Sequence, residues 1–257
     1  QAFAEFKLNN PDKVLDKNTP FFTVGEVYGY GISGKQIYDF GDKKVNYFQN
    51  GFTSLINFDF KGDANKPYEE LFSSYDKILH QDLAGKTVMN YASSHDDSWP
   101  LDKDRKKTYE TATKLLLTPG ISQIYYGDET GRKLTVTGAE GDANLRSKMN
   151  WEDVKNNLET QKLLEYWQKL GQFRRNHPAV GAGFHQMISN SPYWFSRIYK
   201  TDKVVIGLDL PKGTKEVNVT GIFDNGTRVK DAYSGATMPV IEGKISLTND
   251  NNIVLLE

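Results

Sequence analysis

The sequence predicts an α/β domain with parallel strands, part of a (β/α) barrel or an open sheet, followed by a small all-β antiparallel sandwich. Three observations carry this. From Phe21 to about Ala182, strand-like apolar runs alternate with amphipathic helical stretches, the order that right-handed crossovers between parallel strands produce. Several of those runs turn abruptly acidic, as strands do where a parallel sheet opens its site to solvent. Beyond about Phe184 the texture changes to short strand runs divided by turn formers.

Taken in order, the opening stretch reaches a helix stop at Asn9-Asn10-Pro11 and reads as the tail of a helix. Gln1 stands where a start Met would, and the stretch lacks the basic and apolar regions of a signal peptide, so the start reads as cut from something longer. Phe21 to Val24 is a strand running into Gly25-Glu26, and Phe52 to Phe60 is another, with Asp59 near its end. Tyr68, Leu71, Phe72, Tyr75, Ile78 and Leu79 share one face of an amphipathic helix. Thr87 to Ala92 is the next strand, and it turns polar at His95-Asp96-Asp97. Tyr109, Ala112 and Leu116 mark a helix that Pro119-Gly120 ends before the strand from Ile121 to Tyr126, which meets Gly127-Asp128-Glu129. Leu163, Trp167 and Leu170 define a last helix, closed near His177-Pro178.

The sandwich strands are Tyr193 to Tyr199, Val204 to Leu210, Glu216 to Val219, Arg228 to Ala232, Lys244 to Leu247 and Ile253 to Leu256, with turns at Asp224-Asn225-Gly226 and Ser234-Gly235. The expected division is residues 1–182 and 183–257. Four strand–helix units are half of what a closed barrel of this kind needs, about 250 residues by itself. Two sheet edges and an interior face would stay open, to be covered by a missing half or by a second copy.

Composition narrows the partners. The 257 residues are 38% hydrophobic and 25% charged, enough for a large core. With 32 Lys plus Arg against 33 Asp plus Glu, the net charge is -1 and there is no basic stripe, which argues against nucleic acid and points to a neutral substrate. No apolar run approaches the ~20 residues that cross a bilayer. Without Cys there are no disulfides or thiolate metal sites. Aromatics reach 12%, and flat rings suit the C–H faces of sugars as well as the core.

Val24-Gly25-Glu26-Val27-Tyr28, Ser94-His95-Asp96, the run from Gly120 to Glu129, and Lys148-Met149-Asn150-Trp151 ahead of a terminal sandwich occur in an order that resembles the α-amylase family, glycoside hydrolase family thirteen. Together they cover nearly the whole chain. The resemblance implies the second half of a TIM (β/α)8 barrel, carrying its strands five to eight, followed by the antiparallel sandwich. It implies hydrolysis of α-glucosidic bonds in starch or maltooligosaccharides with retention of configuration. Glu26 would be the general acid/base, aided by a pKa raised in a partly apolar pocket, and Asp96 and His95 would grip the sugar at the point of cleavage. Tyr28, Ser94 and Lys148 depart from the residues frequent in the family at those positions. The family's nucleophilic Asp, and a further His and Asp, belong to motifs absent from this sequence, so the chain alone is expected to be inactive or nearly so.

Each residue also has a plainer reading. Glu26 could be a solvated strand-end carboxylate, Asp96 a helix cap or Asx turn with Asp97 as the rival cap, and His95 a core histidine. Asp128 and Glu129 fit loop orientation better than chemistry, with a sugar contact as the lesser reading. Tyr28, Tyr30, Trp99 and Tyr126 are stacking platforms or packing. Arg146 would pair with a loop carboxylate, and the sequons at Asn218 and Asn225 are chance matches. Calcium is frequent in the family and would belong to a full-length parent, with no metal assignable here. A polymeric substrate and the lack of Cys suggest export. The competing functions are a non-catalytic sugar-binding or interaction fragment, and a transglycosylase or sugar isomerase on the same barrel.

Overall fold

In the computed structural model, which describes residues 2–97 and 99–257, the chain opens with α1 (Ala2–Asn9), which stops ahead of Pro11 and buries none of its residues. Then come β1 (Val24–Gly25), a small antiparallel hairpin of β2 (Tyr38–Asp39) and β3 (Lys44–Val45), β4 (Ser54–Asn57), α2 (Phe60–Asp63), α3 (Tyr68–His80), β5 (Thr87–Tyr91), α4 (Thr108–Leu117) and β6 (Ile121–Gln123). Strands β1, β4, β5 and β6 form one parallel sheet in that order, as the alternation predicts. α5 (Trp151–Asn156), α6 (Leu158–Asn176) and α7 (Pro178–Ala182) follow.

The strands are shorter than their apolar runs. β1 holds two residues rather than four: it pairs only with β4, and Phe21 and Phe22 remain 63% and 46% exposed. Phe60, expected to end a strand, instead starts α2 and is fully buried.

Strand alternation separates two faces. Leu55, Asn57, Val88 and Asn90 point into the helix layer and are buried. Two of these are amides. Asn57 Nδ2 donates to Asn90 Oδ1 at 2.8 Å and to the Tyr75 hydroxyl of α3 at 3.0 Å, while Asn57 Oδ1 accepts from Ile32 N at 2.9 Å. Asn90 Nδ2 donates to Pro119 O at 3.0 Å. Ile56, Met89 and Ile121 point to the other face and are only half-buried, and Val24 beside them is 42% exposed.

The C-terminal strands are β7 (Phe184–Asn190), β8 (Tyr193–Tyr199), β9 (Asp202–Leu208), β10 (Gly213–Asn218), β11 (Arg228–Lys230), β12 (Thr237–Pro239), β13 (Lys244–Asn249) and β14 (Ile253–Leu256). A four-stranded sheet in the order β14-β9-β8-β7 stands against the pairs β10–β13 and β11–β12, all antiparallel. Its strands β8, β9 and β14 are largely apolar without alternation because both of their faces are covered. Phe195, Val204, Ile206 and Leu255 join the core beneath the helices, whereas Trp194, Val205, Val254 and Leu256 join a second core with Val217 and Ile245. Sequence reading missed β7, an edge strand with a mixed, largely exposed pattern, and β12, which holds only three residues.

The seam between helices and β-strands is polar as well as apolar. Arg197 is fully buried, lies 5.0 Å from the Phe72 and Phe195 ring centres, and donates Nη1 to Leu117 O and Val180 O, each at 2.5 Å. Burial, with Arg174 next, brings its pKa down to about 9. Arg197 Nε also reaches His185 Nδ1 at 3.4 Å, which leaves Nε2–H to donate to Glu69 Oε2 at 2.9 Å. Burial first, then the Arg197 charge, push His185 below the ordinary imidazole value of 6.5, against the opposing pull of Glu69.

A depressed histidine resists protonation in the folded state. Its contribution to stability is therefore complete above pH 6.5 and is lost as pH falls below that value toward the folded pKa. Urea midpoints should fall between pH 7.5 and 5.5, and His185→Gln should flatten that slope; an unchanged slope would remove His185 from the response.

Candidate active site

The half-buried face of the sheet ends in a cleft. Glu26 follows β1, Phe58 follows β4, Tyr91 closes β5 and Gln123 closes β6, and alternation puts all four on the face of Ile56 and Met89. With Ser94, His95 and Asp96 from the loop after β5 they line one opening. His95 Nε2 lies 3.4 Å from Asp96 Oδ2, their side chains being 63% and 41% exposed. Ser94 Oγ donates to Asp96 Oδ1 at 3.0 Å, so Asp96 is oriented within its own loop. Glu26 is exposed too. The opening encloses only about 50 Å³, against roughly 300–1,000 Å³ for complete small-molecule sites.

Buried charges hold these exposed groups in place. Asp97 accepts the Tyr91 hydroxyl at 2.6 Å and the Trp99 amide at 3.0 Å, and it is ion-paired to Lys61 of α2. Both partners of that pair are 13% exposed. Burial alone would raise the Asp97 pKa, but Lys61, Tyr91 and the Trp99 N–H together hold it below the usual carboxylate value of 3.8. Arg146 Nε donates to His95 O at 2.9 Å, so it braces the loop through the backbone instead of through the expected carboxylate.

Asp128 is also a brace. It is 1% exposed, accepts Ser93 Oγ at 2.5 Å and Arg105 Nη2 at 2.8 Å, and so ties the loop after β5 to the loop after β6. At that depth the sugar contact expected of it is closed off, and loop orientation is its role. Tyr126 is turned away from the cleft, lining a separate groove with Ile124, Leu164 and Trp167. The Arg132 guanidinium lies 4.0 Å over its ring and its hydroxyl donates to Ser147 O at 2.7 Å, which hold the ring, 42% exposed, in that groove and outside the lining of the cleft. Gly127 permits that packing: its φ is +87°, and a Cβ there would come within 2.5 Å of Arg132 Cβ. Tyr30, fully buried, is packing as well, whereas Tyr28 and Trp99 are 80% and 82% exposed. Tyr28 meets the edge of Phe58 with ring centres 5.3 Å apart, which keeps it at the cleft margin.

No model of a known protein family matches the chain. The periplasmic alpha-amylase of Escherichia coli (strain K12) is 35% identical over 209 residues, covering 80% of this chain and 28% of that protein. The chain belongs to the α-amylase family. A cyclomaltodextrin glucanotransferase of Geobacillus stearothermophilus is 26% identical over 227 residues, covering 81% of this chain and 29% of the relative. The solved α-amylase from Geobacillus thermoleovorans, complexed with acarbose, superposes with a TM-score of 0.64 at 16% identity over 99% of this chain and 57% of its own. An Anoxybacillus α-amylase gives 0.60 at 21%, covering 99% and 55%. The fold is thus a partial (β/α) barrel with a terminal β domain, and the chain spans under a third of the length of these curated relatives.

Among the described residues there is no group of three or more His, Asp or Glu side chains placed to hold a metal ion. Among the described residues no helix is long and apolar enough to cross a membrane. Sequence reading passed over Phe58, Tyr91, Gln123 and Lys61. Alternation through Met89 to Tyr91 would have found Tyr91, but nothing local joins Lys61 to Asp97.

Lys61→Met should strand Asp97 in a nearly dry site, lowering stability by about 1–3 kcal/mol. It should also raise the Asp97 pKa, read by carboxyl NMR titration; an unmoved titration would show that the pair does not hold the loop. Gly127→Ala, strained in backbone and contact, should cost about 1–3 kcal/mol in the same denaturation assay.

Proposed function

We propose that the chain carries the acid/base half of a retaining glycosidase acting on α-glucosidic bonds of starch-like oligosaccharides. The observation that carries this reading is the convergence of Glu26 with His95 and Asp96 in one cleft at the C-terminal ends of parallel strands. Glu26 is suited to give its proton to the glycosidic oxygen as the bond breaks and then to take one from the incoming water. Asp96 and His95 would hold the sugar hydroxyls, and the Asp96 charge would favour the cationic transition state. Neighbours solved in complex with maltose, maltotriose and acarbose support a maltooligosaccharide as the substrate.

Retention needs a second carboxyl about 5–5.5 Å from the acid, to attack the anomeric carbon. The carboxylates lining this cleft are Glu26 and Asp96, and Asp96 matches the family's stabilising residue, not its nucleophile. We therefore assign the nucleophile to residues beyond this chain, on a barrel half laid against the open face of Val24, Ile56, Met89 and Ile121. The glucanotransferase relative favours a second reading, in which the same Glu26 serves transfer to a sugar hydroxyl in place of water.

Reducing-end release from soluble starch, measured for this chain and for Glu26→Gln, should be equally absent. Turnover that the variant abolishes would place a nucleophile within the chain or on a second copy of it, and would overturn this assignment. Maltotriose should bind both proteins, and Trp99→Ala should weaken that binding about 2- to 10-fold, the worth of one aromatic contact. Failure of maltotriose to perturb the amides of Ser94 to Asp96 would refute the cleft as a sugar site.

A further inference from the structure

Both Asn–Gly dipeptides of the sequence, Asn50-Gly51 and Asn225-Gly226, lie in exposed turns. Asn followed by Gly is prone to spontaneous loss of the side-chain amide, because the next backbone nitrogen attacks the Asn carbonyl and Gly sets no Cβ in its way. The sequence ranks the two alike. Both glycines stand at positive φ, +100° for Gly51 and +84° for Gly226, and a Cβ on either would meet nothing within 4 Å, so there is room for a ring at both.

Hydrogen bonds separate them. Gly226 N donates to Val240 O at 2.8 Å and Asn225 Oδ1 accepts from Gly243 N at 3.4 Å, so both reacting groups are tied to the segment between β12 and β13. Attack requires the glycine nitrogen to lose its proton, and a well-bonded N–H resists that loss. Gly51 N reaches only Phe48 O, at 3.4 Å, which is longer than the usual N–H···O range. Asn50 Nδ2, the leaving group, donates to Asn46 O at 3.2 Å. The bonds that these two groups make stay within their own turn.

We propose that Asn50 is a site of spontaneous deamidation, and that its isoaspartyl product loosens the strand leading to Glu26. Gly51 N gives its proton to solvent and bonds to Asn50 Cγ. The Cγ–Nδ2 bond breaks, and the amide leaves as ammonia with a proton taken back from solvent, closing a succinimide. Water then opens the ring. Cleavage at Cγ gives aspartate at position 50, whereas cleavage at the main-chain carbonyl gives isoaspartate, with one more carbon in the backbone. That carbon matters because the turn holds β1. Thr23 Oγ1 donates to Gly51 O at 2.8 Å, and Thr23 O accepts from Thr53 N at 3.1 Å and Ser54 N at 2.9 Å where the β1–β4 pairing begins. Among the described residues β4 is the sole strand beside β1, and Glu26 directly follows β1.

The test ages the intact chain in mildly alkaline buffer and maps its peptides by mass spectrometry, with isoaspartate counted by enzymatic methylation. Asn50 should convert at least about five-fold faster than Asn225, the worth of one backbone hydrogen bond. In the urea-unfolded chain the two rates should converge. Equal rates in the folded chain, a faster Asn225, or conversion at neither would overturn the site. The isoaspartyl fraction, separated by ion exchange, should exchange the Thr53 and Ser54 amides faster than fresh chain by a like factor. Asn50→Asp, which carries the charge without the added carbon, should match the fresh chain. Unchanged protection in the isoaspartyl fraction would overturn the link to β1, and equal loss in Asn50→Asp would overturn the role of the added carbon.

Discussion

A parallel sheet has two faces to bury, and the helices of this chain cover one of them. On the covered face the burial is deep enough to enclose amides: Asn57 and Asn90 sit fully buried among Leu55, Val88 and Tyr75, which is tolerable because each amide is bonded to a neighbour or to the chain. On the other face Ile56, Met89 and Ile121 remain half-exposed, and the functional side chains stand along its rim. The openness of the cleft and the exposure of Glu26 follow from that one asymmetry.

Exposed site residues need support that solvent does not supply. Here it comes from charges set behind them. Lys61 and Asp97 lock the loop after β5 to α2, Arg105 and Asp128 lock it to the loop after β6, and Arg146 holds His95 by its carbonyl. Each brace spans elements far apart in the chain, so the loop's geometry is a property of the packed sheet. The division of labour among neighbouring acids follows from depth. Asp96 reaches solvent, whereas Asp97 and one oxygen of Asp128 are held by cations and hydroxyls.

The β domain is part of the same construction. Its main sheet shares a core with α3, α4 and α6, and Arg197, His185 and Glu69 tie that contact with directed bonds. A buried arginine satisfied largely by main-chain carbonyls fixes where α4 and α7 must end relative to β8. The seam is therefore specific in register as well as apolar.

Much of this was legible beforehand. The period-2 and period-3.6 runs located the parallel strands and α3, α4 and α6, because those patterns record which side chains are buried. The four motifs pointed to Glu26, His95 and Asp96 through their resemblance to the α-amylase family. Exposure and partner were not legible. Nothing near Asp128 says that Arg105 will bury it, nothing near Tyr126 says that Arg132 will cover its ring, and β7 hides its strand character in polar residues at a sheet edge. The sequence by itself determined most of the elements, their order and the chemical groups on hand, which follow from local pattern. Only the tertiary structure decided which acids face water and which are held by cations, since that depends on contacts between residues tens of positions apart.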